Sequence, residues 1–175
     1  MFFLKDLPTD SSLREFSRRY PNMNPSALKA CTGLMRTGSD LLAVFETILT
    51  RSGLSQGRFL TLIVLNRTPG EEIYPSSLAR KIGVTRATMT GLLTGLEKQG
   101  LIARRTRAAD RRKVGVSLTA AGRRTLENIL PDYYRLFAKL TAYLDEGERQ
   151  TLISLLKKVN QGISAAPVNQ NGQID

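Results

Sequence analysis

The positive charge of this chain is concentrated in one stretch, residues 75–113. Ten lysines and arginines lie there against two acidic residues, which gives the stretch +8 of the formal net charge of +11. Residues 1–74 contribute +2 and residues 114–175 contribute +1. Clustered lysines and arginines bind the phosphates of a polyanion, whereas a diffusely basic surface would spread the excess evenly. The charge pattern therefore predicts a localised nucleic-acid-binding site.

The side chains on which most enzymes rely are scarce. The sequence has no histidine, the usual general base and the commonest metal ligand, and no glycine-rich phosphate loop. Its single cysteine, Cys31, allows no internal disulfide, which favours a reducing cytosol. No apolar run approaches the roughly 18 residues that span a bilayer, and residues 1–10 make a poor signal peptide. We expect a cytoplasmic, non-enzymatic protein without a cofactor, a metal site or a membrane partner.

The first half of the basic stretch predicts a helix-turn-helix. Ser76 or Ser77 would cap the first helix, Gly83 would form the tight turn, and Thr85 would cap the second helix. The apolar side of the second helix is expected to face the core, and it consists of Met89, Leu93 and Leu96. The opposite side, called the groove face below, is small, polar and basic, which suits a major groove about 12 Å wide. The residues predicted to contact DNA here are Thr85, Arg86, Ala87, Thr88, Thr90, Gly91, Thr94 and Lys98.

The second half of the stretch predicts a β-hairpin. Gly100 would end the second helix, residues 101–105 would form a strand, and residues 114–118 alternate as its return strand. The intervening loop, residues 107–113, is too charged to be buried. It is either a wing held against DNA by the two strands or a flexible charged hairpin.

Apolar residues at helical spacing also predict helices before the basic stretch. Asp10 is expected to cap a short helix, which is either a frayed arm or docked on a partner subunit. Ser26 would cap a long helix that ends near Thr50, and Ser55 would cap a buried one. Cys31 lies on the apolar stripe of the long helix. It is interpreted as a small buried hydrophobe, with a redox-sensing thiol as the alternative.

Two more helices are predicted after the hairpin. Thr119 would cap the first, which runs to about Leu144 and should be kinked by Pro131 because proline removes a backbone donor. Asp145 begins a capping box for the last helix. The tail, residues 164–175, has the composition of a disordered segment.

A combination of short motifs around the hairpin carries a resemblance to a known family. The motifs are Leu96-Glu97, Gly100-Leu101-Ile102, Arg104, Asp110-Arg111-Arg112, and Leu118-Thr119 with Gly122. In these positions the chain resembles the MarR family of winged-helix transcription regulators. The resemblance implies a mainly α fold with a small β-wing, in which N- and C-terminal helices form a dimerisation region beside a winged helix-turn-helix DNA-binding lobe. The implied regions are dimerisation helices at 1–53 and 119–163, the DNA-binding lobe at 54–118, and the tail at 164–175.

The same resemblance implies a function. The chain would be a homodimeric repressor that binds a palindromic operator in double-stranded DNA and is released by a small ligand or an oxidant. Arg112, at the wing tip, would enter the minor groove while Asp110 holds its guanidinium. Phosphate contacts would come from Arg104, Arg105, Arg107 and Lys113, with Arg111 in the same turn. The alternative is an architectural nucleic-acid-binding protein without a specific operator or effector.

The sequence also departs from the family. Many members carry a large basic residue where this chain has Gly91, and often another near Gly95. Either the helix approaches the bases closely, or the bases are read by Arg86, Thr88, Thr90 and Lys98. The two alternatives imply different operator sequences.

A ligand site is harder to place. Family members often bind small aromatic acids in a cleft, which here would be lined by Phe45, Phe59, Tyr133 and Tyr134. Residues of these types are more often ordinary core residues than ligand contacts. Cys31 lies on the helix that carries the thiol in oxidant-sensing members.

Overall fold

The computed structural model describes residues 4–68, 71–107 and 110–166, and the side chains of residues 106–113 lie outside this description. Within it the chain is mainly helical, with one two-stranded antiparallel sheet. The elements are α1 (Asp10–Arg19), α2 (Pro25–Arg51), α3 (Gln56–Asn66), α4 (Pro75–Ile82), α5 (Arg86–Lys98), β1 (Ile102–Arg107), β2 (Asp110–Leu118), α6 (Ala120–Leu140) and α7 (Glu146–Ala165). The expected fold class is confirmed.

The starts of α3, α5 and α7 are as predicted. The Ser55 side chain accepts from the backbone N–H of Arg58 at the start of α3, and Thr85 does the same from Thr88 for α5. Asp145 and Glu148 form a reciprocal capping box on α7. Each of these contacts satisfies a backbone donor that the first helical turn leaves without a partner.

Three other predicted caps were wrong. Thr9, and not Asp10, caps α1, and Asn24, and not Ser26, caps α2. Helix α4 begins at Pro75 without a side-chain cap, so neither Ser76 nor Ser77 serves. Both α2 and α4 have proline in their first turn, where its fixed φ favours the helix and its missing N–H needs no cap. Proline therefore sets these two starts upstream of the serines.

The core around the helix-turn-helix is formed by α3, α4, α5 and the hairpin. Gly83 ends α4 with φ 77°, a left-handed conformation that glycine adopts without steric cost, and this allows the tight turn into α5. Gly100 plays the same part after α5 with φ 68°. The fully buried side chains of this region include Phe59, Leu62, Leu65, Leu78, Met89, Leu93, Leu96 and Val116.

The hairpin is longer than the sequence suggested. Ile102 pairs with Leu118, and the antiparallel register continues to Thr106 and Val114 before shifting. Residues 110–113, predicted as loop, belong to β2, and β1 reaches Arg107. Strand pairing uses backbone groups, so charged side chains on an exposed hairpin do not prevent it. Ile73 adds an isolated antiparallel backbone bridge to Val116.

Helix α6 is joined to the hairpin through Thr119, the predicted cap. Its hydroxyl donates to the Gly100 carbonyl at 2.7 Å and accepts from the Gly122 N–H at 3.0 Å. The helix includes Pro131 and ends at Leu140, before the predicted Leu144, because residues 141–143 form a turn. The predicted kink stays a prediction.

The chain divides into two compact units, Met1–Pro131 and Asp132–Asp175. The second holds the end of α6 and all of α7, which extends to Ala165. Residues 167–175 of the predicted disordered tail lie outside the described part of the chain. The division into dimerisation and DNA-binding regions stays a prediction.

The apolar stripes of the long helices are largely exposed in a single chain. Along α2 only Phe45 and Leu49 are buried, while Met35 is 48% exposed. Helix α7 has no buried residue, and Leu155 is 52% exposed. Exposed apolar residues at helical spacing are typical of a surface that packs on another element or chain.

Cys31 is exposed, so its interpretation as a buried hydrophobe was wrong for the single chain. The reason is that the stripe of α2 on which it lies is not covered by other elements of its own unit at this position.

Candidate nucleic-acid interface

Helix α5 presents the predicted groove face to solvent. Met89, Leu93 and Leu96 are at most 1% exposed and fix which side of the helix faces the core. The opposite residues are all exposed: Arg86, Ala87, Thr88, Thr90, Gly91, Thr94 and Lys98. A helix held by three buried anchors on a compact scaffold can enter a groove as a rigid body.

The start of α5 adds features that favour an anion. Thr85 caps the helix, and its hydroxyl lies 2.9 Å from that of Thr88. The first turn contains Arg86 and no acidic residue. Since a helix N-terminus carries partial positive charge, this end of α5 suits a DNA phosphate.

The two glycines of α5 have different surroundings. A Cβ on Gly91 would meet no atom within 4 Å, so the groove face is open there and a side chain would point into solvent. A Cβ on Gly95 would lie 2.8 Å from Cζ and 2.9 Å from Nε of Arg58, a residue of α3. Gly91 thus leaves the groove face open to solvent, whereas Gly95 leaves room for Arg58, which the sequence did not indicate.

Arg104 connects strand β1 of the hairpin to helix α5. Its Nη2 donates to Thr94 Oγ1 at 3.2 Å, and its Nε lies 3.1 Å from Glu97 Oε2. The Nε atom is buried, and the Glu97 contact has the distance of an ion pair without the alignment of a hydrogen bond. Arg104 therefore fixes β1 against α5. Its predicted role as a phosphate contact stays a prediction.

The other predicted wing residues divide into two groups. Arg105 is exposed on β1. The side chains of Arg107, Asp110, Arg111, Arg112 and Lys113 lie outside the described residues, and with them the predicted contact between Asp110 and Arg112. Their backbone belongs to the two paired strands, which places them on the hairpin.

Replacing Arg104 with methionine is expected to lower the free energy of unfolding by about 1 kcal/mol, because it removes a part-exposed ion pair and one hydrogen bond. Methionine keeps an unbranched apolar stem. Arg105→Met is the matched control on the same strand, and it should change stability little because Arg105 is exposed. Urea unfolding measures both, and equal stabilities would contradict the coupling of β1 to α5.

The residues predicted to line a ligand cleft lie in both units. Phe45 and Phe59 are buried and pack edge to face, with ring centroids 5.5 Å apart. In the second unit Tyr133 contacts Tyr134 and Phe137, at 5.6 and 4.6 Å between centroids. Phe45 and Phe59 are core residues of their unit, and a ligand role for the four aromatics stays a prediction.

The described residues contain no cluster of three acidic, cysteine or histidine side chains placed to hold a metal ion. None of the helices they form is both long and apolar enough to cross a membrane.

Comparison with known proteins gives consistent matches. The model of the MarR family matches residues 54–114. The HTH-type transcriptional repressor YetL of Bacillus subtilis is 32% identical over 162 residues, which cover 92% of this chain and 96% of that protein.

Two solved structures have the same fold. The M. tuberculosis transcriptional regulator MosR in complex with DNA is 30% identical, with a TM-score of 0.59, over 77% of this chain and 97% of that one. BpsR of Bordetella bronchiseptica, whose DNA binding is regulated by 6-hydroxynicotinic acid, is 26% identical, with a TM-score of 0.66, over 75% and 98% of the two chains.

Proposed function

Because this chain belongs to the MarR family of winged helix-turn-helix transcription regulators, we propose that it is a homodimeric repressor of a palindromic operator. The observation that carries the proposal is the exposed groove face of α5, which is backed by three buried anchors and joined to the wing through Arg104. The relatives of this chain are transcriptional regulators and not enzymes, and this chain is not an enzyme.

The proposed dimer follows from the exposed apolar stripes. Those of α2 and α7 belong to the terminal regions that form the dimerisation region if the family resemblance extends to this chain. A two-fold dimer would cover them and would present two α5 helices to two half-sites about one helical turn apart. The palindrome of the operator then reflects the symmetry of the protein.

Release from DNA is proposed to follow a small aromatic ligand or an oxidant. The BpsR structure supports the ligand class, since that regulator responds to an aromatic acid. For an oxidant, Cys31 is an exposed thiol in the single chain. Adding candidate aromatic acids or peroxide to the operator complex, with Cys31→Ser as the control for peroxide, distinguishes the two signals.

Arg112→Ala is expected to weaken operator binding by about 1–3 kcal/mol, the cost of losing a specific groove contact. Lys157→Ala is a matched control, because it removes one positive charge from an exposed position on α7. Gel-shift titration of the wild type and both variants measures the effect. If Arg112→Ala binds like the control, the wing tip does not enter the minor groove.

The operator itself is found by selecting bound fragments from genomic DNA at physiological salt, since salt sets the non-specific background. A regulator enriches a few palindromic sites. Uniform recovery of fragments would instead support an architectural DNA-binding protein.

A further inference from the structure

Arg58 lies outside the basic stretch of residues 75–113, yet its side chain lies against helix α5. It belongs to the first turn of α3, and its guanidinium reaches across to α5 at Gly95. A second glycine lies where α3 and α5 pack together. A Cβ on Gly57 of α3 would lie 3.0 Å from Cδ2 of Leu92 on α5. The two helices therefore approach closely, and the absence of a side chain at Gly95 forms a notch that holds the guanidinium.

The notch lies beside the groove face. At 100° per residue, Gly95 is only about 40° around α5 from Gly91, which lies on the open face. Arg104 contacts the other flank of the same helix through Thr94 and Glu97. Two guanidinium groups thus lie on opposite sides of α5, each brought there from a neighbouring element.

The two arginines differ in their partners. Arg104 has an acidic partner in Glu97 at 3.1 Å. For the Arg58 side chain, no hydrogen bond or ion pair occurs with any residue that the structure describes, and the residue is only partly buried. A guanidinium presents five N–H donors in a fixed plane that matches a phosphate. One that is oriented by packing and not neutralised by an acid is available to an external anion.

We propose that Arg58 is a DNA contact: seated in the Gly95 notch, its guanidinium binds a backbone phosphate at the edge of the groove that α5 enters. This inference rests on the proposed DNA-binding function. The proposal also explains the glycine at position 95. Helix α5 has no basic side chain between Arg86 and Lys98, and the gap at Gly95 lets Arg58 of α3 place its guanidinium there. A phosphate contact of this kind positions the protein and adds affinity without reading sequence.

The first test uses Arg58→Met, which keeps an apolar stem without the charge, and Arg58→Lys, which keeps the charge. Arg58→Met is expected to bind the operator about tenfold more weakly, with Arg58→Lys between it and the wild type. The slope of log K against log salt should become shallower by about 1 per protomer in Arg58→Met and stay unchanged in Arg58→Lys. A merely structural arginine would leave the slope unchanged, and that result in a folded Arg58→Met variant overturns the proposal.

The second test removes the notch without touching Arg58. Gly95→Ala should fold at least as stably as the wild type, because alanine favours a helix and only the flexible end of Arg58 must move. It should nevertheless weaken DNA binding severalfold. The decisive comparison is Gly95→Ala in the Arg58→Met background, where it should have no further effect.

If Gly95→Ala is equally costly in both backgrounds, its methyl group acts on the DNA directly and Arg58 is not the contact. A failure of the proposed function looks different, because the wild type would then show no preferred operator at all. Unfolding curves of every variant identify any loss of binding that comes from misfolding.

Discussion

Replacing Leu155 with glutamate is expected to convert the protein to a monomer and to abolish tight operator binding. Leu155 is 52% exposed in the single chain and lies on the α7 stripe with Leu152, Leu156, Val159 and Ile163. In a two-fold dimer the substitution appears twice and leaves two uncompensated charges in an apolar interface. A charge buried without a partner costs on the order of 3–5 kcal/mol.

The matched control is Gln161→Glu. Gln161 lies on α7 roughly opposite the apolar stripe at 100° per residue, and it is exposed. The control introduces the same charge into the same helix, so it should remain dimeric. Sedimentation equilibrium of both variants gives the oligomeric state, and gel-shift titration gives the affinity. A Leu155→Glu protein that stays dimeric and binds normally would place the dimer interface elsewhere.

Replacing Gly122 with alanine is expected to destabilise the protein by about 1–3 kcal/mol, the usual cost of forcing an extra group into a well-packed site. A Cβ there would collide with the carbonyl oxygen of Leu101 and would lie 3.0 Å from its carbonyl carbon and 3.3 Å from Leu118 Cγ. The Leu101 carbonyl cannot move freely, because it accepts from the Thr119 N–H at 3.1 Å. Backbone, unlike a flexible side chain, cannot rotate away.

Gly91→Ala serves as the control for this prediction. Gly91 is also helical and belongs to the same unit, but a Cβ there would meet nothing within 4 Å. Its replacement should stabilise the protein by up to about 1 kcal/mol through helix propensity. Opposite signs of the two changes in urea unfolding are the expected result. Equal stabilisation by both would mean that α6 does not pack on Leu101 as described.

Gly122 also shows how much a motif can say about structure. Leu118-Thr119 with Gly122 is one of the motifs that carry the family resemblance, but its physical reason becomes visible only in the structure. The Thr119 hydroxyl bonds to the carbonyl of Gly100 and to the N–H of Gly122, so it ties the end of α5 to the start of α6. The absent side chain at Gly122 lets the helix approach closely enough for these bonds. The motif therefore consists of residues that hold the start of α6 against the end of α5.

Local patterns predicted the parts of the site that depend on neighbouring residues. The core side of α5, its Thr85 cap and the turn at Gly83 follow from helical periodicity and from the conformational freedom of glycine. The same reasoning failed for the caps near Ser26 and Ser76, where proline in the first turn determined the start. The same reasoning predicted a hairpin that was too short. A run of charged residues resembles a loop in sequence even when its backbone pairs in a strand.

Long-range contacts were the part that the sequence did not reveal. Arg58 and Gly95 meet only because α3 crosses α5, and no spacing rule connects positions so far apart in the chain. The same holds for Arg104 and Thr94, since the sequence predicted Thr94 as a DNA contact and did not indicate its hydrogen bond to Arg104 of β1. The exposure of Cys31 depends on which surface of α2 is covered. These features require the packing of whole elements.

The measurement that tests the central claim most directly is a hydroxyl-radical footprint of the dimer on its selected operator. Two α5 helices of one dimer should protect two symmetric half-sites centred about one helical turn apart, with additional minor-groove protection where the wings lie. Protection of a single half-site at saturation, or uniform protection along the fragment, would contradict a dimeric regulator that reads a palindrome.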